Sequence, residues 1–146
     1  MPAFNKINGF VEHLAEKVHN LGSDQLVIAL SNTAPSAETP DPSVLTADAV
    51  LANVTEIAYT NVSSRNITTS ASAQSSGTYK LTLADLTLNF TGAVGPFRYV
   101  YIYNDTPTSP ADPLIAYYDY GSSLSFISGE SLTIDFDDSN GAFTIA

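Results

Sequence analysis

The sequence has no cysteine and no tryptophan, and it sets only five Lys+Arg against 15 Asp+Glu in 146 residues. Without cysteine there is no disulfide, no thiolate metal site and no thiol nucleophile. A formal charge of −10 with no basic cluster repels a phosphate backbone, so nucleic acid is not an expected partner. Charge as a whole is scarce, at 14% of residues where about 25% is usual. The expected surface is therefore Ser, Thr, Asn and Tyr, a composition suited to β proteins and to protein contacts. Long apolar runs are also missing: none approaches the roughly 20 residues that span a bilayer. The opening MPAFNKINGF lacks the basic-then-apolar pattern of a signal peptide. These absences predict a soluble chain with no membrane partner. At this length a single domain, 1–146, is expected to bury about 68–70% of its unfolded surface.

Phe4, Ile7, Phe10, Val11, Leu14, Val18 and Leu21 recur at three- and four-residue steps. That periodicity predicts an N-terminal amphipathic helix over 1–23, with Gly22 as its C-terminal glycine. On such a helix His13 and His19 fall about 240° apart. They are then expected as solvated residues that cannot share a metal.

Residues 24–146 read as β structure. DQLVIALSN is a short apolar run between turn formers, hence a buried strand. A proline-rich loop, 33–43, follows with Pro35, Pro40 and Pro42. VLTADAVLANVTEIA has room for a short helical turn, and TNVSSRNITTSASAQSSG predicts an exposed edge strand or arm. From Thr78 the alternation is strict: Tyr79, Leu81 and Leu83 share one face, and Leu86, Leu88 and Phe90 another. FRYVYIYN is apolar on both faces, with Phe97, Tyr99, Tyr101 and Tyr103 against Val100 and Ile102, which predicts a central strand. Short strands at regular spacing predict one antiparallel β-sandwich, jelly-roll or immunoglobulin-like, behind the helix.

Catalytic and metal chemistry find little support. The segment IDFDDSNGAFTIA fails as a calcium loop: counted from Asp135, position 6 is Asn140 and position 12 is Ala146, where glycine and glutamate are needed. Asn140-Gly141 between two alternating runs instead predicts a hairpin turn. No serine sits in a G-x-S-x-G elbow, and GAVGP lacks the spacing of a phosphate loop. Asp119, Glu130 and Asp135 leave a carboxylate pair open for a small glycan-acting enzyme, but no tryptophan is present to line a sugar cleft. The expectation is a non-enzymatic protein with no metal and no cofactor. Tyr99 and Tyr101 are expected in cross-strand packing, whereas Tyr117 and Tyr120 stay open as contact residues.

The ordered series LVIALSNTAP, SGTYKLTLADL, RYVYIYND, PLIAYYDYG and GESLTIDFDDSNGAF resembles small virion-associated proteins of tailed bacteriophages. The resemblance covers most of the chain, with 46–73 contributing least. It implies a structural protein on the capsid exterior, synthesised in the host cytoplasm, that decorates or cements the shell. The partner would be the major capsid protein, and self-association as a dimer or trimer is expected. Phe4, Ile7, Phe10, Val11 and Leu14 on the helix, Pro35, Pro40 and Pro42 in the loop, and Tyr117 and Tyr120 are the candidate interface residues. A tail, neck or head-fibre component contacting the host is the alternative within the same particle.

Overall fold

The computed structural model describes residues 2–35 and 49–146. Ten strands and one short helix form it: β1 (Phe4–Lys6), α1 (Gly9–Ala15), β2 (Leu26–Ser31), β3 (Asn66–Ile67), β4 (Thr69–Ser75), β5 (Thr78–Leu83), β6 (Leu86–Asn89), β7 (Val94–Asn104), β8 (Leu114–Phe126), β9 (Ser131–Ile134) and β10 (Phe143–Ile145). The protein is mainly β with antiparallel pairing throughout, as its alternation predicts. The strands make a five-stranded sheet in the order β1-β8-β7-β2-β3, a three-stranded sheet β10-β5-β4 and a two-stranded sheet β6-β9.

The two smaller sheets pack on one face of the large sheet, in a sandwich-like arrangement. The main core lies between them, joining Ile28, Val100, Ile102 and Tyr118 to Leu81, Leu83, Leu88, Ile134 and Phe136. Behind the large sheet, Val27, Ala29, Tyr99, Tyr101 and Tyr103 form a second core, covered by Ile7, Ala49 and Val54. A single 3-10 turn at Leu51–Asn53 carries part of that cover. Every residue of β2 is buried because the strand has apolar cover on both faces. β7 is central, as its two-sided apolar pattern predicts.

Three sequence expectations change. The helix does not run over 1–23 but only over Gly9–Ala15, and Phe4 belongs to β1, opposite Tyr118. Its end is a Schellman motif: Val18 N–H donates to His13 O at 2.8 Å and Lys17 N–H to Leu14 O at 3.3 Å. Lys17 takes the left-handed conformation, φ 66°, usually held by glycine, so the stop signal is invisible in residue type. The chain therefore turns back and returns His19 to the helix, so His19 is buried rather than solvated.

Phe97 is the second change. It belongs to the main core with Val100 and Ile102, not with the tyrosines. The β7–β8 register shifts between Phe97 and Tyr99, and that irregularity moves Phe97 to the opposite face. The neighbouring Gly95 has φ 105°, and a Cβ there would lie 2.6 Å from the Leu124 carbonyl oxygen.

The third change concerns the C-terminal segment. β9 pairs with β6 and β10 pairs with β5, so Asp137–Gly141 connects two sheets instead of closing a hairpin. The two-residue hairpin lies elsewhere: Ser76 and Gly77, both at positive φ, join β4 to β5.

Candidate functional site

An apolar groove opens where the edges of two sheets approach each other. β1 is an edge of the large sheet and β10 an edge of the three-stranded sheet. Phe4 and Phe143 bridge them with ring centroids 5.8 Å apart, and Phe10 meets Phe143 edge-on at 5.4 Å. α1 forms the third wall. The groove, about 330 Å³, is lined by Phe4, Lys6, Phe10, Val11, Leu14 and all three residues of β10. A shallower concavity of about 550 Å³ continues past Leu14 and Ile145 to Lys17, His19 and Tyr79. Val11 is 50% exposed and Ile145 41%, so burying them against a partner is favourable by the usual apolar transfer of about 25 cal/mol per Å². Two of the three exposed large hydrophobic residues among the described residues stand at this one groove.

Of the expected interface residues, the structure brings Phe4, Phe10, Val11 and Leu14 together there. Phe10 is itself buried in the main core and forms the floor. Ile7 is fully buried in the second core, on the far side of the large sheet from Phe10. Tyr117 packs against Tyr99 and Tyr101 beside that second core, and Tyr120 packs against the main core. Pro35 is half-buried, while Pro40 and Pro42 lie outside the described residues. Lys6, Lys17, Phe143 and Ile145 were missed. The pattern AFTIA places Phe143 and Ile145 on one face, but an expected β9–β10 hairpin hid what that face would meet.

Beside the groove, His19 belongs to a buried polar cluster. Asn104 Oδ1 accepts the Thr106 N–H at 3.1 Å, which fixes the amide orientation. Asn104 Nδ2 then donates to Asp24 Oδ2 at 2.6 Å and to His19 Nδ1 at 3.1 Å. With Nδ1 accepting, the His19 proton sits on Nε2, a buried atom with no hydrogen-bond partner, like His13 Nδ1. Desolvation, with the neighbouring His13 adding to it against the attraction of Asp24, lowers the His19 pKa to about 4. No group of three or more His, Cys, Asp or Glu suited to a metal occurs among the described residues.

The candidate carboxylates Asp119, Glu130 and Asp135 are occupied locally. Arg98 holds Asp119 through two hydrogen bonds of 2.6 and 2.8 Å, which lower the Asp119 pKa. Glu130 accepts the Ile127 N–H, and Asp135 accepts that of Asp137. Asp137 in turn accepts the backbone N–H and both side-chain contacts of Asn140, closing a turn on itself. These carboxylates hold turns and one ion pair. No helix among the described residues is long and apolar enough to cross a membrane.

Comparison with protein-family models, with curated proteins and with solved structures yields no match.

Proposed function

We propose that this chain is a structural protein of a bacteriophage particle, acting as a capsid decoration or cement protein on the outside of the shell. The observation that carries the proposal is the groove between α1, β1 and β10, where exposed Val11 and Ile145 flank half-buried Phe4 and Phe143. An apolar groove flanked by two strand edges suits contact with another protein more than chemistry on a small molecule. The sequence resemblance supplies the particle, and the major capsid protein is the proposed partner. Binding only the assembled shell would stabilise that shell by mass action.

β4 supports self-association as a dimer or trimer. It is the outer strand of its sheet, with seven uncharged residues, no proline and mostly exposed side chains. Edges are normally defended by charge or proline, and this one carries neither.

The test is the ratio of this chain to major capsid protein in purified virions, by quantitative mass spectrometry. A ratio within a few-fold of one, with shells that lose heat resistance when stripped of the chain, is the expected result. A ratio far below one would move the protein to the tail, neck or a head fibre. Its absence from the particle would overturn both assignments.

A further inference from the structure

The positive charges of this acidic chain are not spread evenly. Arg65 and Arg98 are in ion pairs with Glu56 and Asp119, and among the described residues no lysine has one. Lys6 lines the apolar groove, Lys17 the concavity that continues it, and Lys80 a third concavity that meets the first at Thr144. Together these surfaces carry three of the five basic residues and, among the described residues, no carboxylate. Glu12 of α1 and Glu16, which follows the helix, are exposed but line none of them. Lys17 also keeps its long side chain at a positive φ of 66°, a left-handed backbone that L side chains adopt at a cost.

We propose that the groove between α1, β1 and β10 docks an extended acidic segment of another protein. Its apolar side chains fill the space between Phe4, Val11 and Ile145, and its carboxylates meet Lys6 and Lys17. Period-two alternation is the form such a segment takes, because one face of an extended strand can fill an apolar groove while the other presents charge. The lysines select against basic and neutral segments and speed encounter, while the apolar contacts set the residence time. The inference deepens the reading of this chain as a protein that works by contact, and rests on it, by naming the chemistry of the partner.

The probe is a seven-residue peptide alternating valine and glutamate, titrated into the isotope-labelled full chain and followed by NMR. A peptide alternating valine and lysine is the control. Expected are shift changes confined to residues 4–17 and 143–145, and binding at least about tenfold tighter for the glutamate peptide. The Lys6→Glu/Lys17→Glu variant should lose that preference, and Val11→Asp should lose binding. Both variants change exposed positions, and an unchanged circular dichroism spectrum and melting temperature establish that they fold. Equal binding of the two peptides, shifts elsewhere, or no shift at millimolar peptide would overturn the proposal. So would groove shifts that grow with protein concentration alone, which would make a second copy the occupant. Shells that bind the wild type and the Val11→Asp variant equally would remove the groove from decoration and leave decoration standing. Shells that bind neither would sink decoration, with the peptide titration still deciding the groove.

Discussion

His19 lies with its ring centroid 6.0 Å from that of His13, edge towards face, and 5.1 Å from the ring of Phe10. A reversal of the chain at Lys17, not a helical repeat, produces this contact. His19 is therefore buried against the Phe10 ring, and a proton added to it would be charge without water.

That placement sets a pH dependence. The His19 pKa is about 4 in the folded chain and 6.5 as its unperturbed value. Between those limits the unfolded chain binds more protons, so stability falls as pH drops from 6.5 towards 4. The ceiling is about 3 kcal/mol, from 1.36 kcal/mol per pKa unit. Asp24 opposes the effect and His13 adds to it. Urea unfolding at a series of pH values should show this slope, and His19→Gln should flatten the pH 4–6.5 segment relative to wild type. Parallel slopes would show that other groups carry the acid sensitivity.

Lys17 is a place where stability and contact conflict. Glycine holds its left-handed backbone at lower cost, so Lys17→Gly is expected to raise unfolding free energy by up to about 1 kcal/mol. A rise in melting temperature accompanied by weaker peptide binding would show both effects in one variant. A fall in melting temperature would mean that the lysine side chain stabilises the fold itself.

Two glycines separate conformation from space. Gly141 has φ 89°, and a Cβ there would lie 2.6 Å from Lys80 Cγ and 2.9 Å from the Leu81 carbonyl oxygen; Gly77 has φ 85° with nothing within 4 Å. Gly77→Ala should cost roughly 1 kcal/mol, the backbone term alone. Gly141→Ala should cost more, about 2–3 kcal/mol, since the turn must shift as well. Thermal melts of the two variants test the order, and equal losses would contradict the steric contribution.

Phe97 has no exposed surface, whereas Ile127 is 65% exposed. Phe97→Ala should therefore cost about 3–5 kcal/mol, and Ile127→Ala should fall within about 0.5 kcal/mol of wild type. Denaturant midpoints at constant slope are the measurement. A mild Phe97→Ala would mean that the core around Val100 and Ile102 can collapse into the cavity.

Much of the fold was legible because alternation is local. The two-faced apolar pattern of β7 predicted a central strand, and Tyr99 and Tyr101 pack as expected, 6% and 0% exposed. The uncharged run before Gly77 became the edge strand β4, and the ambiguous stretch around Leu51 holds one 3-10 turn. What failed depends on partners distant in sequence. Asn140-Gly141 looked like a hairpin because both flanks alternate, yet β9 finds its partner in β6 and β10 in β5. A register irregularity moved Phe97 across the sheet, and no residue type announces that. For the groove, the helical residues Phe10, Val11 and Leu14 were visible in the periodicity. Their wall on β10 was not, because it follows from which sheet receives the last strand.

The residues of β7 serve two separate compartments. Val100 and Ile102 fill the space towards the small sheets, while Tyr99, Tyr101 and Tyr103 fill the space behind. A deletion or insertion of one residue in this strand would exchange the two sets, driving phenolic hydroxyls into a hydrocarbon interior built for aliphatic chains. Changes of length are therefore far more damaging in this strand than changes of residue type. Among descendants of this sequence, substitutions can accumulate along β7, but gains and losses of residues should be confined to exposed turns such as the one at Gly77.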